Sequence, residues 1–429
     1  TLVVFFAAVQ AAQAATPKDT LVIANAIDDI ITLDPAEIFE FSGAEYAANT
    51  YDRMITFDVD NVSDISGNIA ESWEISENGM VYTFKIRKGV TFASGNPLTA
   101  DDVVYSLQRV VILDKTPAFI LTQFGFTPEN VKETIKKIDD FTVEITIDKP
   151  YAPTFFLYCL TSTAGSVIDM KEVQAHEKDG DMGYNWLKTA YAGSGPYMLK
   201  SWKPSETLIY ERNDNYWGAK AKMKRIITRH IAESATQRLL LEKGDVDIAR
   251  NLGPDDLKGM ANNPDVKFRK KAKGAIWYLG LNQKNQYLQK PEVRQALKYL
   301  IDYKGMESTI LDGSATIHQA FLPKGFLGAL EETPFSLDVD KAKALLKDAG
   351  LENGFTVTMD TRNTEPTTSM ALSIQSTFAR NPDNADDAKS KPLALGQLLL
   401  PPETCGQAHA KGHGQYDHQK KRQFFVPAH

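Results

Sequence analysis

The sequence predicts an α/β fold spread over more than one lobe, and three observations carry that expectation. The chain has 429 residues, more than one hydrophobic core usually serves, with 43% apolar and 24% charged residues, as in ordinary globular chains. Stretches in which apolar and polar residues alternate, the period of a half-buried strand, are interspersed with stretches of helical period. Ser234 opens a helix pattern that Gly244 closes, and residues 245–249 follow as a short strand, the helix-then-strand order of α/β folds.

Taken from the N-terminus, residues 2–9 are wholly apolar and Ala-Ala-Gln-Ala-Ala follows at 11–15, the small residues that a signal peptidase requires. Residues 1–15 therefore read as the end of an export signal, weighed against a buried N-terminal strand or helix, and the mature chain is expected to start near Ala15. No other stretch approaches the roughly 18 apolar residues of a membrane span. The net charge of −7 argues against a nucleic-acid partner, whose footprint would be basic. Cys159 and Cys405 are too few for a disulfide framework, and Cys159, inside Phe-Phe-Leu-Tyr-Cys-Leu, reads as a packed and inert thiol.

Residues 21–24 form a short apolar run fit for a buried strand, and Leu33-Asp34-Pro35 ends the loop behind it. Phe39 and Phe41 then flank Glu40 in a loop, where bulky aromatics serve either as core plugs or in recognition. Tyr82, Phe84 and Ile86 alternate with Thr83, Lys85 and Arg87 as a strand. Thr99 with Asp102 predicts a capping box, and Val103, Leu107, Val110 and Val111 predict one apolar helix face packing back on that strand. Phe119 follows Pro117 at the end of the helix region and reads as a core aromatic. Residues 141–147 alternate as a further strand.

Gly193-Ser194-Gly195-Pro196-Tyr197 has the composition of a backbone hinge, since glycine admits unusual φ/ψ and proline fixes the exit. It is not a nucleophile elbow, because Ala192 stands where a glycine is needed, and no Gly-Lys-Ser/Thr follows to make a phosphate loop. Residues 197–201 and 207–211 flank 203–206 as a hairpin would. Trp277 and Tyr278 precede Leu-Gly-Leu-Asn, with Trp277 suited equally to the core or to stacking on a ligand. Pro291 opens a helix with Val293, Leu297, Leu300 and Ile301 on one face, Asp338 caps another that Gly350 ends, and Phe355, Val357 and Met359 alternate as a strand.

After residue 379 the chain changes character. Residues 395–429 hold three Pro and four of the seven His without sustained periodicity, and are expected to be mobile. Cys405, His409, His413 and His418 have helical metal-ligand spacing, but Gly406, Gly412 and Gly414 oppose the helix, so no metal is assigned and no cofactor is expected.

Residues 70–111, AESWEISENGMVYTFKIRKGVTFASGNPLTADDVVYSLQRVV, followed in order by GSGPY at 193–197, ERNDNYWG at 211–218, LEKGDVDI at 241–248, LGLNQ and PEVRQALKYLID, form a long composite motif. This order resembles the family 5 extracellular solute-binding proteins, the dipeptide and oligopeptide receptors of ABC importers, over about residues 19–379. The resemblance implies a two-lobed periplasmic-binding-protein-like fold of class II with an extra small lobe, the third lobe incomplete. Its expected division is a signal remnant at 1–15, lobe I at 16–50 and 170–265, a small α/β lobe at 51–169, lobe III truncated at 266–379, and an aberrant, disordered tail at 380–429.

The same resemblance implies a periplasmic receptor that closes two lobes over a small solute, a di- or oligopeptide before others, and delivers it to membrane permease subunits. Its ligand-binding residues would be Phe39, Glu40, Phe41, Phe119, Gly193, Ser194, Gly195, Trp277 and Tyr278. A monomer is expected, with no catalysis. The alternatives are an exported hydrolase built on Asp101 and Asp102, adjacent residues that do not face each other on a helix, and a truncated receptor that binds nothing.

Overall fold

The computed structural model describes residues 16–58, 64–250, 252–269, 275–326, 328–361 and 366–378, and the backbone of 420–426. The expected export signal and the Cys405, His409, His413 and His418 grouping lie outside these residues. The chain forms two compact units, Thr1–Leu252 and Gly253–His429.

The strands of the first unit are β1 (Thr20–Asn25), β2 (Ile55–Phe57), β3 (Ile65–Gly67), β4 (Ala70–Ile75), β5 (Val81–Ile86) and β6 (Ile135–Asp139). They continue with β7 (Thr142–Thr146), β8 (Tyr197–Lys203), β9 (Thr207–Arg212), β10 (Arg225–His230) and β11 (Ile248–Ala249). One sheet runs β11-β1-β10-β9-β8, with β1 parallel to β10 and β11, and the β8-β9 and β9-β10 pairs antiparallel. A second, β4-β5-β7-β6, is wholly antiparallel. The strand expected at 245–249 reduces to its last two residues; Asp247 ahead of them exchanges two hydrogen bonds with the backbone of Val22, 2.8 Å through its N–H and 2.7 Å through its carboxylate.

The sheet of β5 carries the core that the alternation predicts. Tyr82, Phe84 and Ile86 are buried, as are Val103, Leu107, Val110 and Val111 on the helix Ala100–Leu113, and all belong to one cluster. Each buried aliphatic side chain contributes about 1.5–3 kcal/mol. The helix starts where the sequence says it should: the Thr99 N–H donates to Asp102 at 2.9 Å, and the Asp101 N–H donates to the Thr99 hydroxyl at 3.3 Å. Asp102 is also an acceptor for the Met170 N–H at 3.1 Å, which ties the helix start to the segment after β7.

Two of the motifs meet at one buried carboxylate. Asp52 accepts from the Ser194 hydroxyl and Trp217 Nε1, both at 2.9 Å, from the Tyr216 hydroxyl at 3.2 Å and from Asn68 Nδ2 at 3.3 Å. The glycines of the GSGPY stretch serve this packing, which corrects the hinge expectation: neither has a positive φ. A Cβ on Gly193 would stand 2.3 Å from the Thr50 carbonyl oxygen, and one on Gly195 would stand 2.5 Å from the Thr50 carbonyl carbon. Backbone is pressed on backbone there, and only glycine fits.

In the second unit the helices Pro291–Tyr299, Val339–Asp348 and Thr367–Phe378 pack with β12 (Phe355–Thr361), burying Val293, Leu297, Leu346, Phe355 and Phe378 in one cluster. Asp338 caps the second helix by accepting from the Lys341 N–H at 2.9 Å, as expected. Within the stretch expected to be mobile, β13 (Lys420–Val426) pairs antiparallel with β12 from Phe355↔Val426 to Thr361↔Lys420. An unpaired β12 edge offers a row of backbone donors and acceptors, and Phe-Phe-Val suits a strand even without alternation. Among the described residues no helix is long and apolar enough to cross a membrane, and no group of three ligating side chains could hold a metal.

Candidate ligand-binding site

The loop after β1 leaves the carboxyl end of three mutually parallel strands, β1, β10 and β11, the end at which open α/β sheets receive ligands. The chain is held firmly on its inner side. Leu33 and Ile38 are fully buried, the Leu33 N–H donates to the Lys188 carbonyl at 3.0 Å, and the Thr163 hydroxyl donates to the Ile38 carbonyl at 3.0 Å. The Asp34 carboxylate is held in a buried ion pair by Arg109 of the helix Ala100–Leu113 and also accepts from the Ala36 N–H at 2.9 Å, fixing the turn at Pro35.

With that side anchored, Phe39 and Phe41 turn outward, 52% and 73% exposed, against the usual preference of phenylalanine for the interior. Phe119, at the start of the short helix Phe119–Thr122, is 54% exposed while its neighbours Ala118 and Leu121 are buried. Its ring meets that of Phe39 edge to face, centroids 5.7 Å apart at 78°. Two aromatics that sequence reasoning nominated separately are thus one exposed pair, with Phe41 beside them in the chain.

Glu40 stands at the N-cap of the helix Phe41–Thr50, yet its side chain makes no cap bond; instead the Phe39 N–H donates to it at 3.2 Å. Burial pushes its carboxyl above the usual range, and the carboxylates of Asp29 and Glu37 add to the rise, while hydrogen bonds from the backbone of Glu40 and Phe39 oppose it. Asp29 accepts from the Ser42 N–H at 3.2 Å, and Glu37 accepts from the Tyr184 hydroxyl at 2.9 Å. Deeper in the unit, Asn25, Ser42, Glu45, Tyr210, Thr228 and Arg250 line a cavity of about 10 Å³, with Arg250 paired to Glu45.

The remaining nominated residues stand elsewhere. Gly193, Ser194 and Gly195 are buried, and the Ser194 hydroxyl donates to Asp52. Trp277 and Tyr278 belong to the second unit, 52% and 82% exposed, on a stretch whose Leu279 and Leu281 pack on that unit's core. Sequence reasoning missed Asp34 with Arg109 and the Asp52 cluster; the only signal for the latter was the Tyr216-Trp217 pair inside ERNDNYWG. It also missed a cavity of about 300 Å³ walled by His176 and Trp186, whose rings stack at 4.1 Å. Asp101 and Asp102, the pair weighed for hydrolysis, are both engaged: Asp101 with Lys137 at 2.7 Å and Asp102 in the capping box.

The chain is similar in sequence and in fold to known binding proteins. A probable D,D-dipeptide-binding periplasmic protein of Escherichia coli, DdpA, is 33% identical over 78% of this chain and 62% of its own length. A dipeptide-binding protein of Escherichia coli is 28% identical over 74% of this chain and 61% of its own length. The chain therefore spans about three fifths of these relatives. Among solved structures, the ABC transporter-associated periplasmic binding protein DppA from Helicobacter pylori, in complex with the peptide STSA, matches with a TM-score of 0.73 at 28% identity, covering 84% of this chain and 71% of that one. These likenesses bear out the α/β, periplasmic-binding-protein-like fold expected from the sequence. The sequence model of the bacterial extracellular solute-binding proteins, family 5, matches residues 64–380, and the chain belongs to that family.

Proposed function

We propose that this chain is the solute-binding receptor of an ABC importer, acting in the periplasm and passing a small solute, a di- or oligopeptide before others, to permease subunits in the membrane. Family membership across residues 64–380 carries the reading, and two relatives named for dipeptide binding support the choice of ligand. The site chemistry is consistent with it. An exposed pair of aromatics, Phe39 on a loop pinned from beneath and Phe119 on a short helix, with Glu40 next to Phe39 in the chain, is a surface for holding a molecule by contact area and a few polar bonds. In this reading the protein acts as a monomer and breaks no bond; Asp101 and Asp102, the pair weighed for hydrolysis, are committed to an ion pair and a helix cap.

Calorimetric titration of the purified chain with di-, tri- and tetrapeptides tests this. Saturable binding is expected, lost in a folded Phe39→Ser/Phe119→Ser variant. Absence of binding to every peptide by folded protein would overturn the receptor reading in favour of a chain that holds no ligand, and peptide turnover would overturn it in favour of an enzyme.

A further inference from the structure

We propose that His230 is a positioning residue for ligand binding, which holds the start of the loop after β1 through the lone pair of its Nδ1 and lets it go when the imidazole takes up a proton. The proposal rests on the receptor reading above, since that loop carries Phe39 and leads into Phe41, and it adds to that reading a dependence of affinity on pH. His230 ends β10 and lies opposite Asn25, which ends β1. Two residues beyond Asn25, the Ile27 N–H donates to His230 Nδ1 at 3.1 Å. Ile27 is buried in the cluster that also holds Leu33 and Ile38, and a backbone donor in such a place needs an acceptor.

A backbone N–H can only donate, and that fixes the state of its partner. Nδ1 accepts with its lone pair free, so the ring is neutral and carries its hydrogen on Nε2. A proton taken up at Nδ1 turns that nitrogen into a donor, and two N–H groups then face each other across 3.1 Å. A replacement stands beside it: the exposed Asp28 carboxylate has Oδ1 3.9 Å from the same nitrogen. Protonation thus exchanges the Ile27 N–H for Asp28 and shifts the loop at its root. The charges on the other elements around His230 are already engaged. Arg250 pairs with Glu45, Glu206 pairs with Lys203 at 3.9 Å, and Asp29 accepts from the Ser42 N–H, while Arg229 alternates to the opposite face of β10. The Asp29 bond ties the loop to the start of the helix Phe41–Thr50, which gives a shift at Ile27 a route to Phe41.

The first half of the test needs no ligand. In protein carrying isotope-labelled histidine, the NMR signals of His230, assigned by their loss in His230→Asn, should report hydrogen on Nε2 at about pH 7, and the Ile27 amide should shift as His230 titrates towards about pH 5. Asparagine offers an acceptor oxygen at every pH, so in that variant the Ile27 amide should stay fixed. In the second half the probe is the dipeptide Phe-Leu, whose termini keep their charges between these two pH values. It should bind the wild-type chain about fivefold more weakly at the lower pH, and His230→Asn equally at both. Hydrogen on Nδ1 at neutral pH, an Ile27 amide indifferent to His230, or the same loss of affinity in His230→Asn overturns the proposal and leaves the receptor reading intact. If neither Phe-Leu nor the wider peptide set binds while the Ile27 amide follows His230, the receptor reading falls and the hold of His230 on the loop stands.

Discussion

Arg109 donates two parallel hydrogen bonds to Asp34, from Nη1 to Oδ1 at 2.8 Å and from Nη2 to Oδ2 at 2.6 Å, with the two side chains 1% and 0% exposed. Burial alone would lower the basicity of the guanidinium, but the hydrogen bonds and charge of Asp34 outweigh it and the net shift is upward. The pair joins the loop after β1 to the helix Ala100–Leu113. Arg109→Met should destabilise the first unit by about 3–5 kcal/mol, because it strands a buried carboxylate, whereas Arg109→Met with Asp34→Leu should cost much less. Urea unfolding of the single and double variants measures the difference.

Asp52 gives a second stability prediction. Asp52→Asn turns one accepting oxygen into a donor facing Ser194, Tyr216, Trp217 and Asn68, leaving at least one buried donor unsatisfied. A loss on the order of 1–3 kcal/mol is expected in urea unfolding, and a loss within experimental error would show that the cluster relaxes around the change.

Glu40 gives a pH dependence. Its folded-state pKa is raised above the ordinary 4.5, so the folded chain binds that proton more tightly than the unfolded chain, and stability falls as pH rises through the interval between the two values. Above the interval the ionised side chain is a standing destabilisation; below about pH 4.5 it contributes none. Glu40→Gln should therefore raise the melting temperature at pH 7 and leave it unchanged at acid pH. Melting curves across that range decide it.

The Cys159 thiol is half-buried, 3.7 Å from Gln123 Nε2, and burial pushes its pKa up to about 11. At pH 8 little thiolate is present, so alkylation at Cys159 should be far slower in the folded protein than in urea. Peptide mass mapping of timed samples reads the ratio.

Pairing of β13 with β12 predicts protected backbone amides within Lys420–Val426. Hydrogen exchange that is immediate across those residues would dissolve the strand and restore the expectation of a wholly mobile tail.

Legibility in the sequence followed the range of the interaction. The Thr99 and Asp102 cap, the strand at Tyr82 and the helix from Pro291 were readable because each is specified by residues within a few positions of one another. Phe39, Phe41 and Phe119 were nominated by resemblance, but their exposure depends on Leu33, Asp34 and Ile38 anchoring the opposite side of the loop, which periodicity does not report. Asp34 was read only within the loop end at Pro35 and Arg109 was not singled out, since a buried ion pair across 75 positions leaves no local trace. GSGPY was read for freedom of rotation, whereas its requirement is the closeness of Thr50, a contact made across the fold.

The register Thr20↔Arg225 gives this protein an order of assembly. Among the described residues β1 is the first strand in chain order, and its partners β10 and β11 come only after the four-stranded sheet from β4 to β7 is complete. That sheet is made of near neighbours and needs short loop closures, so it forms early, while β1 waits for a closure spanning most of the unit. During that interval the apolar run Leu21, Val22, Ile23, Ala24 stays unpaired and open to the wrong strand. A chain stopped before Arg225 would retain its small sheet and leave β1 without its β10 partner.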